Sequence, residues 1–203
     1  MALGTVIRSF AAGDITPLGA AWCGDGIWIT GQNLDRVFLH DPVSGVVRYS
    51  VATPRIQPTG VGWDGRTLWV NSGVGGIDQI NLAGTTIRSI ATNGRQGMAM
   101  DGRSVWVVNN ALNLVEQYDL TSGVLIRTIP EPGGGTPRDV AWDGSSLWLC
   151  NQTTATIYKL DTDGVVLASF AAPGALPFGI TWDGRALWIV VGAVNRIYQV
   201  MVN

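Results

Sequence analysis

Five near-copies of one phrase, Trp-Asp-Gly-x-x-Leu-Trp, constrain this chain more than any other feature. Three copies are complete: Trp63-Asp64-Gly65-Arg66-Thr67-Leu68-Trp69, Trp142-Asp143-Gly144-Ser145-Ser146-Leu147-Trp148 and Trp182-Asp183-Gly184-Arg185-Ala186-Leu187-Trp188. A fourth puts Met100 for the first Trp and continues Asp101-Gly102-Arg103-Ser104-Val105-Trp106, and a fifth, Trp22 to Trp28, puts Cys23 for the Asp. The closing tryptophans Trp28, Trp69, Trp106, Trp148 and Trp188 are separated by steps of 41, 37, 42 and 40 residues, so the repeat fills all 203. A period of this length marks a repeat architecture in which each unit buries its apolar face against its neighbours.

Within each copy the pattern reads as four short strands. A Pro-x-Gly entry (Pro58-Thr59-Gly60, Pro177-Phe178-Gly179) opens the first, and the Asp-Gly dipeptide makes a hairpin turn into a second such as Leu147-Trp148-Leu149. A third strand such as Ile157-Tyr158-Lys159-Leu160 and a fourth such as Val124 to Ile129 follow. Four antiparallel strands per repeat predict an all-β, five-bladed β-propeller. The blades are expected at 16–51, 57–90, 94–129, 135–170 and 176–203, in one domain of 1–203. The last copy ends after its third strand, whereas Gly4 to Phe10 matches fourth strands such as Thr86 to Ile90. Residues 1–10 are therefore expected to supply the missing outer strand of the last blade, closing the ring and removing an open sheet edge.

The repeat resembles bacterial propeller repeats of the NHL, YVTN and streptogramin-lyase-like group, and the resemblance spans essentially the whole chain. The residues that carry it are Pro-x-Gly-apolar-x-Trp-Asp-Gly, then Leu-Trp-Val, then Ile-Tyr-x-Leu-Asp followed by Gly. Blade number is also shared with glutaminyl cyclotransferases and tachylectin-type lectins, without further motifs of either. The resemblance implies fold and leaves activity open, because such folds host enzymes, binding modules and scaffolds.

Composition narrows the function classes. The chain is 46% apolar and 14% charged, with 27 Gly and 9 Trp, which excludes disorder. A net charge of −2 gives no reason to expect nucleic acid or an anionic membrane. No transmembrane stretch or signal peptide is read, so a soluble protein, expected to be monomeric, follows. Cys23 and Cys150 fall at unrelated repeat positions, so no disulfide is expected.

Most chemistry-bearing residues belong to the repeat. The tryptophans are expected between blades. Asp64, Asp101, Asp143 and Asp183 fit turn chemistry better than calcium binding, and the Asp161-Thr162-Asp163-Gly164 run lacks the further ligands of an EF-hand. Arg8, Arg48, Arg88 and Arg127 share one outer-strand position and read as a charged edge that discourages aggregation. The one histidine, His40, aligns with Ile80, Tyr118, Leu160 and Val200 and is expected to be packed. Streptogramin-lyase-like enzymes are expected to use a His with a Glu on the loop face, and Glu116 and Glu131 are not placed to partner His40. No nucleophile elbow, zinc cluster or phosphate cradle appears, and no cofactor or metal is expected.

What remains are positions where the blades disagree. The Pro-x-Gly entry becomes Arg95-Gln96-Gly97 in the third blade and Pro137-Arg138-Asp139 in the fourth. Loops after the second strands add Asn33, Asn71, Asn109, Asn151 and Gln152, read as a ring of amides that could donate and accept together. These nine residues form the expected ligand site. They predict a non-catalytic binding or scaffold propeller that engages a small molecule, glycan, peptide or partner protein on this loop face. Two alternatives stand beside it: a lyase- or cyclotransferase-like enzyme using Asp139 and Glu131 as its acid/base pair, and an engineered or reconstructed propeller without selected activity.

Overall fold

The computed structural model describes residues 2–13 and 16–202; residues 1, 14, 15 and 203, the first and last of which bound the expected domain, lie outside the described residues. The chain begins with β1 (Val6–Ala11) and then makes blade 1 from β2 (Pro17–Trp22), β3 (Ile27–Gly31), β4 (Arg36–His40) and β5 (Val47–Ala52). Blade 2 holds β6 (Pro58–Trp63), β7 (Leu68–Ser72), β8 (Ile77–Ile80) and β9 (Thr86–Ile90). Blade 3 holds β10 (Met98–Met100), β11 (Ser104–Asn109), β12 (Leu114–Asp119) and β13 (Leu125–Pro130). Blade 4 holds β14 (Pro137–Trp142), β15 (Leu147–Asn151), β16 (Thr156–Leu160) and β17 (Val166–Ala171). The fifth sheet runs β18 (Pro177–Trp182), β19 (Ala186–Val191), β20 (Arg196–Met201) and finally β1. It is the five-bladed propeller that the repeat predicts, with four antiparallel strands in every sheet.

The closing strand is β1, whose pairing with β20 sets Arg8 opposite Gln199, Phe10 opposite Ile197 and Ala11 opposite Arg196. Phe10 is buried against Trp188, Ile197, Ala20 and Ile29, so one ring joins the first and last blades. His40 stacks on Phe10 with centroids 5.8 Å apart and its Nδ1 faces the Gly45 carbonyl at 3.1 Å, which makes it a packed residue. Burial lowers its pKa. The five closing tryptophans are each at most 2% exposed and fill the blade interfaces. The opening tryptophans Trp22, Trp63, Trp142 and Trp182 are half-buried and, with Met100, border the end of the channel away from the loop face.

The turn aspartates do more than close a hairpin. Asp64 Oδ1 accepts the N–H of Arg66 and of Thr67, while Oδ2 accepts the Trp69 indole N–H at 2.8 Å. Asp101, Asp143 and Asp183 repeat the indole bond to Trp106, Trp148 and Trp188 at 3.0, 2.9 and 2.8 Å. In blade 1, where Cys23 stands for the Asp, the buried Trp28 Nε1 has no partner among the described residues. Both cysteines are free thiols. The outer-strand arginines form no continuous basic ring: Arg48 pairs with Asp41 and Asp25, Arg127 with Asp163, and Arg88 lies 4.8 Å from the Trp69 ring centroid. Among the described residues, no helix is long and apolar enough to cross a membrane.

Candidate functional site

The inner strands approach the axis so closely that four of five blades need glycine there. A Cβ on Gly19 would stand 2.7 Å from Gly60 Cα, and one on Gly60 would stand 2.5 Å from the Gln96 carbonyl oxygen. The same Cβ on Gly97 would collide with Asp139, the residue that blade 4 places at the equivalent position. The small residues of four blades thus leave room for one carboxylate at the axis. Asp139 Oδ1 accepts Val140 N–H at 2.8 Å, and Oδ2 accepts Ile180 N–H at 2.9 Å and Ala20 N–H at 3.1 Å. The side chain therefore links blades 4, 5 and 1, with the Met98 N–H of blade 3 also directed at it. Asp139 is 0% exposed, and burial pushes its carboxyl well above the usual range, against the opposing pull of these donors.

Arg138, its neighbour, points the other way. Its Nη1 donates to Gln96 Oε1 at 3.1 Å, its Nε donates to Gln152 Oε1, and the guanidinium carbon lies 5.5 Å from the Phe178 ring centroid. Three blades thereby fix one guanidinium over the channel mouth. Burial disfavours its charge, and among the described residues it has no ion pair.

The loop amides differ from the expected open ring. Asn71 is fully buried, its amide donating to the Gly94 and Gln96 carbonyls while its oxygen accepts Ser72 N–H. Asn109 donates to Glu116 Oε1 at 2.8 Å, and Asn151 donates to Glu131 Oε1 at 2.7 Å and accepts from Thr153 and Thr154. These three amides are spent on holding loop backbone and buried carboxylates, so they cannot offer a ligand donors and acceptors together. Asn33 lies exposed on the 3-10 turn Gln32–Leu34, in blade 1. Of the nine expected residues, the structure brings Gln96, Arg138 and Gln152 into contact at the mouth and leaves Arg95 exposed beside them.

Arg95 borders a cleft of about 770 Å³ between the loops of blades 2 and 3, which Arg55, Val74, Gly75, Gly76, Asn93 and Leu112 also line. Sequence reasoning missed Arg55 and the two glycines. The available signal was Gly75-Gly76, a glycine pair on the loop after β7 that no other blade carries. Arg55 is spent on Asp78, with Nε to Oδ2 at 2.6 Å and Nη2 to Oδ1 at 3.1 Å.

The carboxylates near this face are occupied as well. Glu131 accepts the N–H of Gly133 and Gly135, and Glu116 accepts the Tyr118 hydroxyl at 2.7 Å, where burial pushes the phenol up to about 12. Among the described residues, no cluster of three or more His, Cys, Asp or Glu could hold a metal ion.

Comparison with solved structures returns other propellers. Glutaminyl cyclase of Myxococcus xanthus superposes with a TM-score of 0.82 at 12% identity, over 98% of this chain and 95% of that one. A streptogramin B lyase superposes at 0.59 with 15% identity over 97% of both chains. Virginiamycin B lyase of Staphylococcus aureus superposes at 0.58 with 20% identity, over 94% of this chain and 68% of that one. The likeness is one of fold. No protein-family model matches the chain, and no curated protein sequence matches it.

Proposed function

We propose that this chain is a non-catalytic binding or scaffold propeller that engages its ligand, a peptide, glycan or partner protein, on the loop face. The supporting observation is Arg138, whose guanidinium Gln96, Gln152 and Phe178 hold in place over the channel mouth without a carboxylate to neutralise it. A fixed, partly desolvated cation at the mouth of a rigid ring gives an incoming acceptor an oriented partner at little ordering cost. Acid–base chemistry, by contrast, needs a titratable pair within reach of a substrate. Here Asp139 and Glu131 are both buried and hydrogen-bonded to backbone, and His40 lies packed on β4.

The alternative, a lyase- or cyclotransferase-like enzyme, draws on the fold neighbours, which are named as a glutaminyl cyclase and streptogramin lyases. One of those structures is a catalytically inactive histidine-to-alanine variant of the lyase. The only histidine of this chain is 1% exposed. Peptide and glycan arrays probed with the native chain and with Arg138→Ala and Gln96→Ala separate the readings. Retention by the native chain that both substitutions weaken supports binding at the mouth. Retention indifferent to both, or turnover of a glutaminyl peptide or a streptogramin, contradicts it.

A further inference from the structure

We propose that the cleft between blades 2 and 3 binds the C-terminus of a peptide, with Arg95 holding the terminal carboxylate and Val74 and Leu112 flanking an aliphatic last side chain. The inference rests on the loop-face reading above and gives it a ligand chemistry and an anchor.

Arg95 departs from the repeat where the architecture does not require it. At the position of Arg95 the other four blades bury a proline: Pro17, Pro58, Pro137 and Pro177. Arg95 instead is exposed, and its side chain makes no hydrogen bond or ion pair among the described residues. The backbone departs with it. The N–H groups of Arg95 and Gln96 both donate to the Val108 carbonyl, at 3.0 and 3.1 Å, and β10 spans only 3 residues where β6 spans 6. The strand begins late here, beside a cleft whose volume of about 770 Å³ falls among those of small-ligand sites.

Charge and shape then select the occupant. Gly75 and Gly76 both have positive φ, +83° and +85°, and present bare backbone between two guanidiniums. A Cβ on Gly76 would stand 3.3 Å from Arg55 Nη1, and one on Gly75 would stand 3.8 Å from Arg95 Nε. Asp78 takes two edges of the Arg55 fork and the Gly75 carbonyl takes Nη1 at 3.0 Å, so Arg55 braces the site and its charge is balanced. Arg95 is left as one cation with an open planar fork, which matches a carboxylate edge to edge. A phosphate dianion would call for a second open cation, and a sugar would call for free amides, whereas the amides of Asn71 and Asn109 already donate and accept within the loops.

Beside Arg95, the exposed aliphatic side chains of Val74 (67%) and Leu112 (64%) line the same cleft. A C-terminal residue carries its carboxylate and its side chain on the same Cα, so it places both where this cleft has a cation bordered by apolar walls. An internal Asp or Glu would bring polar backbone there instead.

The test is fluorescence polarisation with dye-labelled pentapeptides ending in leucine. One carries a free carboxylate, one is amidated, and one is amidated with a glutamate before the leucine. Each is titrated against the native chain, Arg95→Ala, Arg95→Lys and Arg138→Ala. Arg95 makes no side-chain bond, so its variants keep the fold, which circular dichroism checks. The free acid is expected to bind the native chain, with amidation or Arg95→Ala weakening it by about tenfold or more and Arg95→Lys by less. Added salt lowers the affinity. Equal binding of acid and amide, equal binding of the internal glutamate, indifference to Arg95→Ala, or no binding of the free acid each overturns the inference. If array ligands depend on Arg138 and not on Arg95, the cleft assignment falls while the loop-face reading stands.

Discussion

Asp139 reaches from blade 4 to accept the backbone N–H of Ile180 in blade 5 at 2.9 Å, and the same oxygen accepts Ala20 of blade 1. One side chain thus ties together inner strands that the repeat brings close but cannot itself bond. Restoring the residue of the other blades, Asp139→Gly, strips these donors of their acceptor. Leaving buried N–H groups unpaired costs about 1–3 kcal/mol each. The variant is therefore expected to melt several degrees below the native chain in a thermal scan, although glycine is the residue its neighbours carry.

The same carboxyl sets a pH dependence. Its folded pKa is raised, so its contribution is fully present below the unfolded value of about 4 and is lost as pH rises from there toward the folded value. Three turn aspartates, Asp64, Asp101 and Asp143, have the opposite sign. Burial pushes Asp64 up, but the Thr67 hydroxyl and N–H with the Trp69 indole outweigh it and hold the group below the usual carboxylate range. Asp101 and Asp143 behave likewise. Their contribution is present above about pH 4 and is lost as pH falls through the lowered values. Urea titrations across pH are expected to show acid loss in both the native chain and Asp139→Asn. The fall above pH 4 should belong to the native chain alone; identical profiles would contradict the assignment.

Blade 1 lacks the bond the other four blades make. Cys23→Asp gives the buried Trp28 Nε1 an acceptor in the geometry seen at Trp69 and offers turn N–H groups the same oxygen pair. A net gain of about 1 kcal/mol is expected, read as a higher melting temperature. Loss of stability would show that blade 1 does not close as blades 2 to 5 do.

The closing strand has its own test. Phe10→Ala empties the apolar contact between the first and last blades, where Trp188, Ile197 and Ile29 pack. Truncating a buried Phe costs about 3–5 kcal/mol, so the denaturant midpoint is expected to fall sharply. The exposed Ile7→Ala on the same strand serves as the control and is expected to move it little.

The fold was legible because the Trp-Asp-Gly-x-x-Leu-Trp phrase encodes both a hairpin and a blade interface, and Gly4 to Phe10 so resembles a fourth strand that the seam could be placed. The site was legible only in part. Asp139 stands out as the one break in a column of glycines, but sequence spacing does not tell that this column faces the axis, where an exposed ligand contact becomes a buried hub. Asn71, Asn109 and Asn151 look like free amides in one dimension, because their partners Gly94, Glu116 and Glu131 lie on other strands and loops. Arg95 could be named, but the cleft beside it depends on Arg55, Asp78 and Gly75 meeting across two blades.

The central claim is that ligand engages the loop face and leaves the Asp-Gly turn face free. Hydrogen exchange of the native chain, with and without its strongest array ligand, tests it most directly. Slowed exchange is predicted in residues 91–97, 136–138 and 152–155, with residues 64–67, 101–104 and 183–186 unchanged. Protection confined to those turns, or to the outer strands, would contradict the account.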